Sequence, residues 1–229
     1  MSNILTPFGF LHIGYLEGYT PSYGFRRRKI ALGNTNPIFH GDPVATVSAS
    51  GYISQASTNG TGGVLSIAGV FESCEYVSVS QQRKVRSLYW PGSDAQFDVD
   101  CFIIDAAGAL FKAQSNGSPI LYANIENNIG YFIAIGGSTA PVAGSGQGNT
   151  VNGYSGALLD VAGTNSGGSG AIATTSTLPF RIVRLFSDDM IPGAPVLGGT
   201  QFNGTDQNTN FNMAIVTFNN SDSKALIAR

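Results

Sequence analysis

Few side chains in this sequence could carry chemistry, and none of them falls into a catalytic pattern. His12 and His40 are the only histidines, one in the N-terminal segment and one beside the turn Gly41-Asp42-Pro43. Neither they nor Cys74 and Cys101 show the paired spacing that brings three or four ligands to zinc. Asp98, Asp100 and Asp105 could hold a hard cation, but calcium loops carry carboxylates on a glycine-containing turn, and these alternate along an expected strand. Gly153-Tyr154-Ser155-Gly156 contains half of a nucleophile elbow, without the full Gly-x-Ser-x-Gly or an α/β pattern around it. Ser155 therefore reads as a loop serine. Gly144-Ser145-Gly146-Gln147-Gly148 lacks the Lys-Ser/Thr ending of a phosphate loop. The expectation is a protein that is not an enzyme and uses no metal and no cofactor.

The run Arg26-Arg27-Arg28-Lys29 is more specific, because it places four of the 12 basic residues at adjacent positions. On an extended chain these side chains point to alternating sides. One reading is a charged edge strand, since cations blunt edge-to-edge pairing. Another is an anchor whose guanidinium groups bond carboxylates on a partner. Nucleic acid ranks behind both, for the rest of the chain offers no supporting basic surface. Trp90, the only tryptophan, precedes a Pro91-Gly92 turn; it could stack on a sugar, close a strand end or sit at a subunit interface.

The elements that must position these residues read as strands. In Ala95–Ile103, Phe97, Val99, Cys101 and Ile103 share one face while Gln96, Asp98 and Asp100 share the other. Further candidates are 44–47, 52–55, 64–71, 75–79, 85–89, 109–112, 131–135, 179–186 and 211–218, short runs rich in Val, Ile and Phe between Gly, Pro, Asn and Ser clusters. Only 124–128 and 223–228 could make a helical turn or two, too short for an autonomous helix. The expected fold is all-β, an antiparallel sandwich or barrel-like domain with long Gly/Ser/Asn loops at 136–153, 163–170 and 187–209. Residues 1–36 stand apart, with glycines alternating with Phe8, Phe10, Tyr15, Tyr19, Tyr23 and Phe25. They read either as an extended N-terminal arm ahead of a 37–229 domain or as a first strand within it.

Composition narrows the partners. Charged residues make up 11% of the chain, against roughly 25% in an ordinary soluble domain, and the formal net charge is -2. Weak self-repulsion permits dense packing of many copies and argues against electrostatic steering to nucleic acid. A hydrophobic fraction of 42% is too high for a disordered chain. No apolar run approaches the ~20 residues that cross a bilayer, and residues 1–7 lack signal-peptide features. The expected site of synthesis is a cytoplasm, where both cysteines default to thiols.

Five phrases occur in order: Thr6-Pro7-Phe8-Gly9-Phe10, Phe39-His40-Gly41-Asp42-Pro43-Val44, Gly153-Tyr154-Ser155-Gly156-Ala157-Leu158-Leu159-Asp160, Thr177-Leu178-Pro179-Phe180-Arg181-Ile182-Val183-Arg184-Leu185 and Asn212-Met213-Ala214-Ile215-Val216. In this order and spacing the chain resembles the head decoration, or cement, proteins of tailed bacteriophages. The resemblance implies a structural protein on the outer surface of the virion head, assembled in the host bacterial cytoplasm. It would be a homotrimer bridging copies of the major capsid protein and stabilising the expanded shell. On that reading Phe8, Phe10, Tyr15, Arg26, Arg27, Arg28 and Lys29 supply capsid or inter-subunit contacts. The alternative is a β-rich receptor-binding or fibre-associated protein that holds host glycans through Trp90 and the Gly/Asn loops.

Overall fold

The computed structural model describes residues 5–16, 24–47, 50–56, 67–133, 148–161, 163, 171–186 and 210–222. The expected loops at 136–153, 163–170 and 187–209 lie largely outside these residues, as do the helical candidate 223–228 and the start of the 64–71 strand.

Over the described residues the chain is all-β, with antiparallel sheets packed as a sandwich and no closed barrel. One sheet has the order β1 (Leu11–Tyr15), β10 (Ala109–Gln114), β14 (Met213–Phe218), β13 (Phe180–Leu185), β11 (Asn128–Phe132) and β12 (Leu158–Asp160). The other runs β2 (Phe25–Ile30), β9 (Val99–Ile104), β6 (Gly69–Ser78), β4 (Pro43–Thr46) and β5 (Ile53–Gln55), with β7 (Arg83–Ser87) also on β6. A short ribbon pairs β3 (Ile38–Phe39) with β8 (Tyr89–Trp90).

Both expected readings of residues 1–36 bear on this topology. The described part contributes β1 to the edge of one sheet and β2 to the edge of the other. These strands survive their glycines because neighbours supply the pairing: Gly14 sits in a bulge opposite β10, where the register slips between His12 and Gly14.

Two cores flank the second sheet. On one face, Val70 and Ile104 join the first sheet's Phe111, Tyr131, Phe180 and Phe218, with Phe10 among them. On the other, Phe71, Cys74, Cys101 and Ile103 pack with Ile30, Ile38, Val44 and Trp90. The adjacent apolar pairs Val70-Phe71 and Ile103-Ile104 mark where this sheet is covered on both faces. At β9's other end Asp100 and Phe102 are only partly buried. Opposite edges of this curled sheet meet through side chains: Arg28 Nη2 donates to Thr46 Oγ1 and to the Gly51 carbonyl, at 3.2 and 3.3 Å.

Two expectations fail locally. Phe97, assigned to the buried face, is 62% exposed, because the ladder begins only at Val99 and the preceding chain turns aside, where the Gln96 N–H bonds the Val77 carbonyl. The helical turn expected at 124–128 is a 3-10 turn at Tyr122–Asn124, where Asn124 Oδ1 accepts the Leu121 N–H.

Cys74 and Cys101 face each other directly across β6 and β9, both fully buried and both free thiols. Burial raises both, Cys101 to about 12 and Cys74 further, with each other's proximity adding to the Cys74 shift. Since the thiolate is the nucleophile, native protein at pH 8 is expected to resist iodoacetamide and to take up two labels once unfolded in urea. Labelling of the native protein at the unfolded rate would contradict this burial.

Candidate functional site

Two clusters of polar residues stand out, one inside the molecule and one on its surface. The interior one is built on Asp42, whose side chain is completely buried. Its Oδ2 accepts the Phe39 N–H at 2.7 Å and Gln55 Nε2 at 2.8 Å; its Oδ1 accepts Ser155 Oγ at 2.5 Å. Ser155 Oγ in turn accepts the Ala157 N–H. Burial pushes the Asp42 carboxyl up to about 7 against the pull of these three donors.

The backbone around Asp42 joins three distant parts of the chain. The Phe10 N–H bonds the Gly41 carbonyl; the His40 N–H bonds the Gly153 carbonyl, and the Ser155 N–H bonds the His40 carbonyl. Gly9 and Gly41 both hold positive φ here, and a Cβ on Gly9 would lie 2.6 Å from that of Ser155, so only glycine lets these segments touch. Phe10 then stacks on Phe180, with ring centroids 4.4 Å apart, and Phe180 stacks on Phe218. The β13 and β14 strands carry the last two phrases and pair with each other.

This junction offers no hydrolytic geometry. The hydroxyl of Ser155 is spent on a buried carboxylate, and His40 turns its Nδ1 to the Glu72 carbonyl at 2.9 Å. No group of three His, Cys, Asp or Glu side chains suited to a metal ion occurs among the described residues. The carboxylates weighed for a hard cation are each engaged separately: Asp98 by the Tyr52 hydroxyl at 2.7 Å and the Leu32 N–H, Asp100 by Arg27 and Lys29, Asp105 by Arg26.

The surface cluster lies on the open part of the second sheet. Direct cross-strand partners form one row, Lys29 on β2, Asp100 on β9, Glu75 on β6 and Arg86 on β7. Arg27 reaches Asp100, Lys84 bonds Glu75 at 2.6 Å, and the Arg86 guanidinium lies over the Phe102 ring. Hydrogen bonds from Arg27 and from Lys84 hold Asp100 and Glu75 below the usual carboxylate range. Side chains of Arg27 and Lys84 are both 66% exposed, whereas those of Asp100 and Glu75 are 20% and 23%. The acids lie low and the cations stand over them, so a locally balanced face presents positive charge. Seven of the 12 basic residues belong to β2 and β7: Arg26, Arg27, Arg28, Lys29, Arg83, Lys84 and Arg86.

The expected contact residues thus divide. Arg26, Arg27, Arg28 and Lys29 come together on an edge strand. Phe8 is half-buried beneath the Lys112 ammonium, 5.1 Å from its ring centroid. Tyr15 packs edge-on against His12 and is also half-buried. Phe10 is withdrawn as a contact residue, since it is 1% exposed and belongs to the protein's own core. Trp90 is withdrawn as a sugar platform: it is fully buried, edge-on to Tyr76, with its indole N–H on the Asn34 carbonyl. Alternation places Asp100 on the polar face of its strand, and Glu75 falls only within the expected strand 75–79; their alignment with β7 requires the register. Comparisons with protein-family models, with curated proteins and with solved structures find no match for this chain.

Proposed function

We propose that this protein decorates the outside of a bacteriophage head, binding the major capsid protein through the cation-fringed face of its second sheet. The observation that carries this reading is the convergence of the five family-like phrases. Chance matches to short strand and turn sequences would scatter over a fold. Here residues 6–10, 39–44 and 153–160 meet at Asp42, and Phe10 connects them to the β13–β14 pair. Such a junction is what a shared scaffold would keep.

The role needs no catalysis. A low-charge surface allows close packing of copies, and a homotrimer that bridges capsid subunits would gain by effective concentration. Binding that favours the expanded lattice would stabilise it by mass action. The exposed cations of β2 and β7 suit an acidic capsid surface, and rim charges of this kind act mainly on association rate and salt dependence.

The test is co-sedimentation with heads lacking the protein, together with its copy number in virions. A near-equimolar ratio to the major capsid protein is expected, with binding weakened about tenfold or more by the double substitution Arg27→Glu and Lys29→Glu. A few copies per particle, or full binding by that variant, would overturn the reading. Deleting the N-terminal segment is a poor test, because it removes β1, β2 and part of the core.

A further inference from the structure

We infer that the seam between β2 and the β4–β5 hairpin is a carboxylate-binding cleft, which takes an acidic side chain of a protein partner. The cleft has a volume of about 690 Å³ and is lined by Arg27, Arg28, Lys29, Ser50, Gly51, Tyr52 and Asp100. Three cations and one carboxylate line it, and Arg27 and Lys29 are both bonded to that carboxylate. Two more acids stand behind the lining, each taken by a hydroxyl: Asp98 by Tyr52 and Asp222 by Thr46.

Arg28 is the centre of the inference. Its Nη2 makes two long bonds across the seam, at 3.2 and 3.3 Å, and its buried Nε has no hydrogen-bond acceptor among the described residues. A guanidinium with spare, partly desolvated donors favours a planar, two-oxygen acceptor that can take a pair of parallel N–H bonds. The seam already holds one carboxylate by its two oxygens, Arg27 on Oδ2 and Lys29 on Oδ1 of Asp100. The hydroxyls of Ser50 and Tyr52 at the rim already donate to the Val47 carbonyl and to Asp98, so the cations carry the binding, and the space exceeds one side chain, leaving room for the peptide flanking it. That the acidic group belongs to a capsid subunit rests on the proposed function; that the cleft binds a carboxylate does not.

The probe is glutarate, titrated into the full chain while the arginine Nε–Hε resonances are followed by NMR, with sulfate in a parallel series. The Arg28 and Arg27 signals are expected to shift and saturate with a Kd of about 1–10 mM, the range of a few charge-assisted bonds at a solvated site. Arg184, on β13, is expected to stay still. Arg28→Lys, which keeps the charge and loses the fork, should weaken glutarate at least tenfold while the folded spectrum is preserved. No saturable shift, equal shifts at every arginine, or saturation by sulfate alone would each overturn the carboxylate assignment. Heads left unbound by protein whose cleft takes glutarate would overturn the head reading and leave the cleft standing. Heads bound normally by Arg28→Lys would remove the cleft from docking.

Discussion

Replacing Asp42 with alanine is expected to remove about 3–5 kcal/mol of stability, because it leaves three buried donors without their acceptor. The Phe39 N–H, Gln55 Nε2 and Ser155 Oγ all point at this one side chain, and all three residues are buried. Against a total stability of about 5–15 kcal/mol for a domain, the loss is a large fraction. Urea unfolding monitored by Trp90 fluorescence would measure it; a change below about 1 kcal/mol would mean the junction does not hold the segments together.

Asp42 also sets a pH dependence with a definite sign. The folded chain keeps this proton up to about pH 7, while the unfolded chain releases it near 3.8. Stability from this group is therefore fully present below the unfolded value and declines as pH rises from about 4 to 7, on the order of 4 kcal/mol in all. The half-buried Asp98, Asp100 and Glu75 are shifted the other way and oppose the trend at lower pH. The difference between wild type and Asp42→Asn isolates the Asp42 contribution. It should slope between pH 4 and 7 and flatten above; a flat difference throughout would show that the carboxyl stays ionised.

Phe10→Ala is the second large effect, about 3–5 kcal/mol, the usual range for deleting a buried aromatic ring. Its ring stacks on Phe180, and Phe180 is in contact with Tyr131, Phe111 and Phe218, so the space is walled by rigid rings and collapses poorly. Arg27→Ala on the exposed edge should move stability far less, since a solvated ion pair contributes little. Thermal unfolding of the two variants side by side distinguishes a scaffold role for the first segment from that of a detachable arm. Equal, small shifts would restore the arm.

How far these positions could be read in advance depended on the range of the interaction. Cys101 and Ile103 were assigned to a buried face by alternation alone, since a strand's two faces follow from local geometry. Phe97 obeys the same alternation and is exposed, because where a strand starts depends on a partner's register. Phe10 and Phe25 sit in the same glycine-aromatic context, yet one is in the core and the other 44% exposed. Nothing within either neighbourhood separates them; the stacking partner Phe180 lies 170 residues on in the chain.

The sequence by itself determined the all-β class, the low-charge surface, the strand identity of most apolar runs and the concentration of cations at residues 26–29. Each of these follows from composition or from period-2 patterning, which local backbone geometry imposes. Only the tertiary structure decided that the first segment is woven into both sheets, that Asp42 gathers Phe39, Gln55 and Ser155, and that Trp90 is enclosed. It also aligned Lys29, Asp100, Glu75 and Arg86 in one row. These are pairings between residues far apart in the chain, set by which strands become neighbours, and sheet order is a cooperative result of packing that no single stretch of residues encodes.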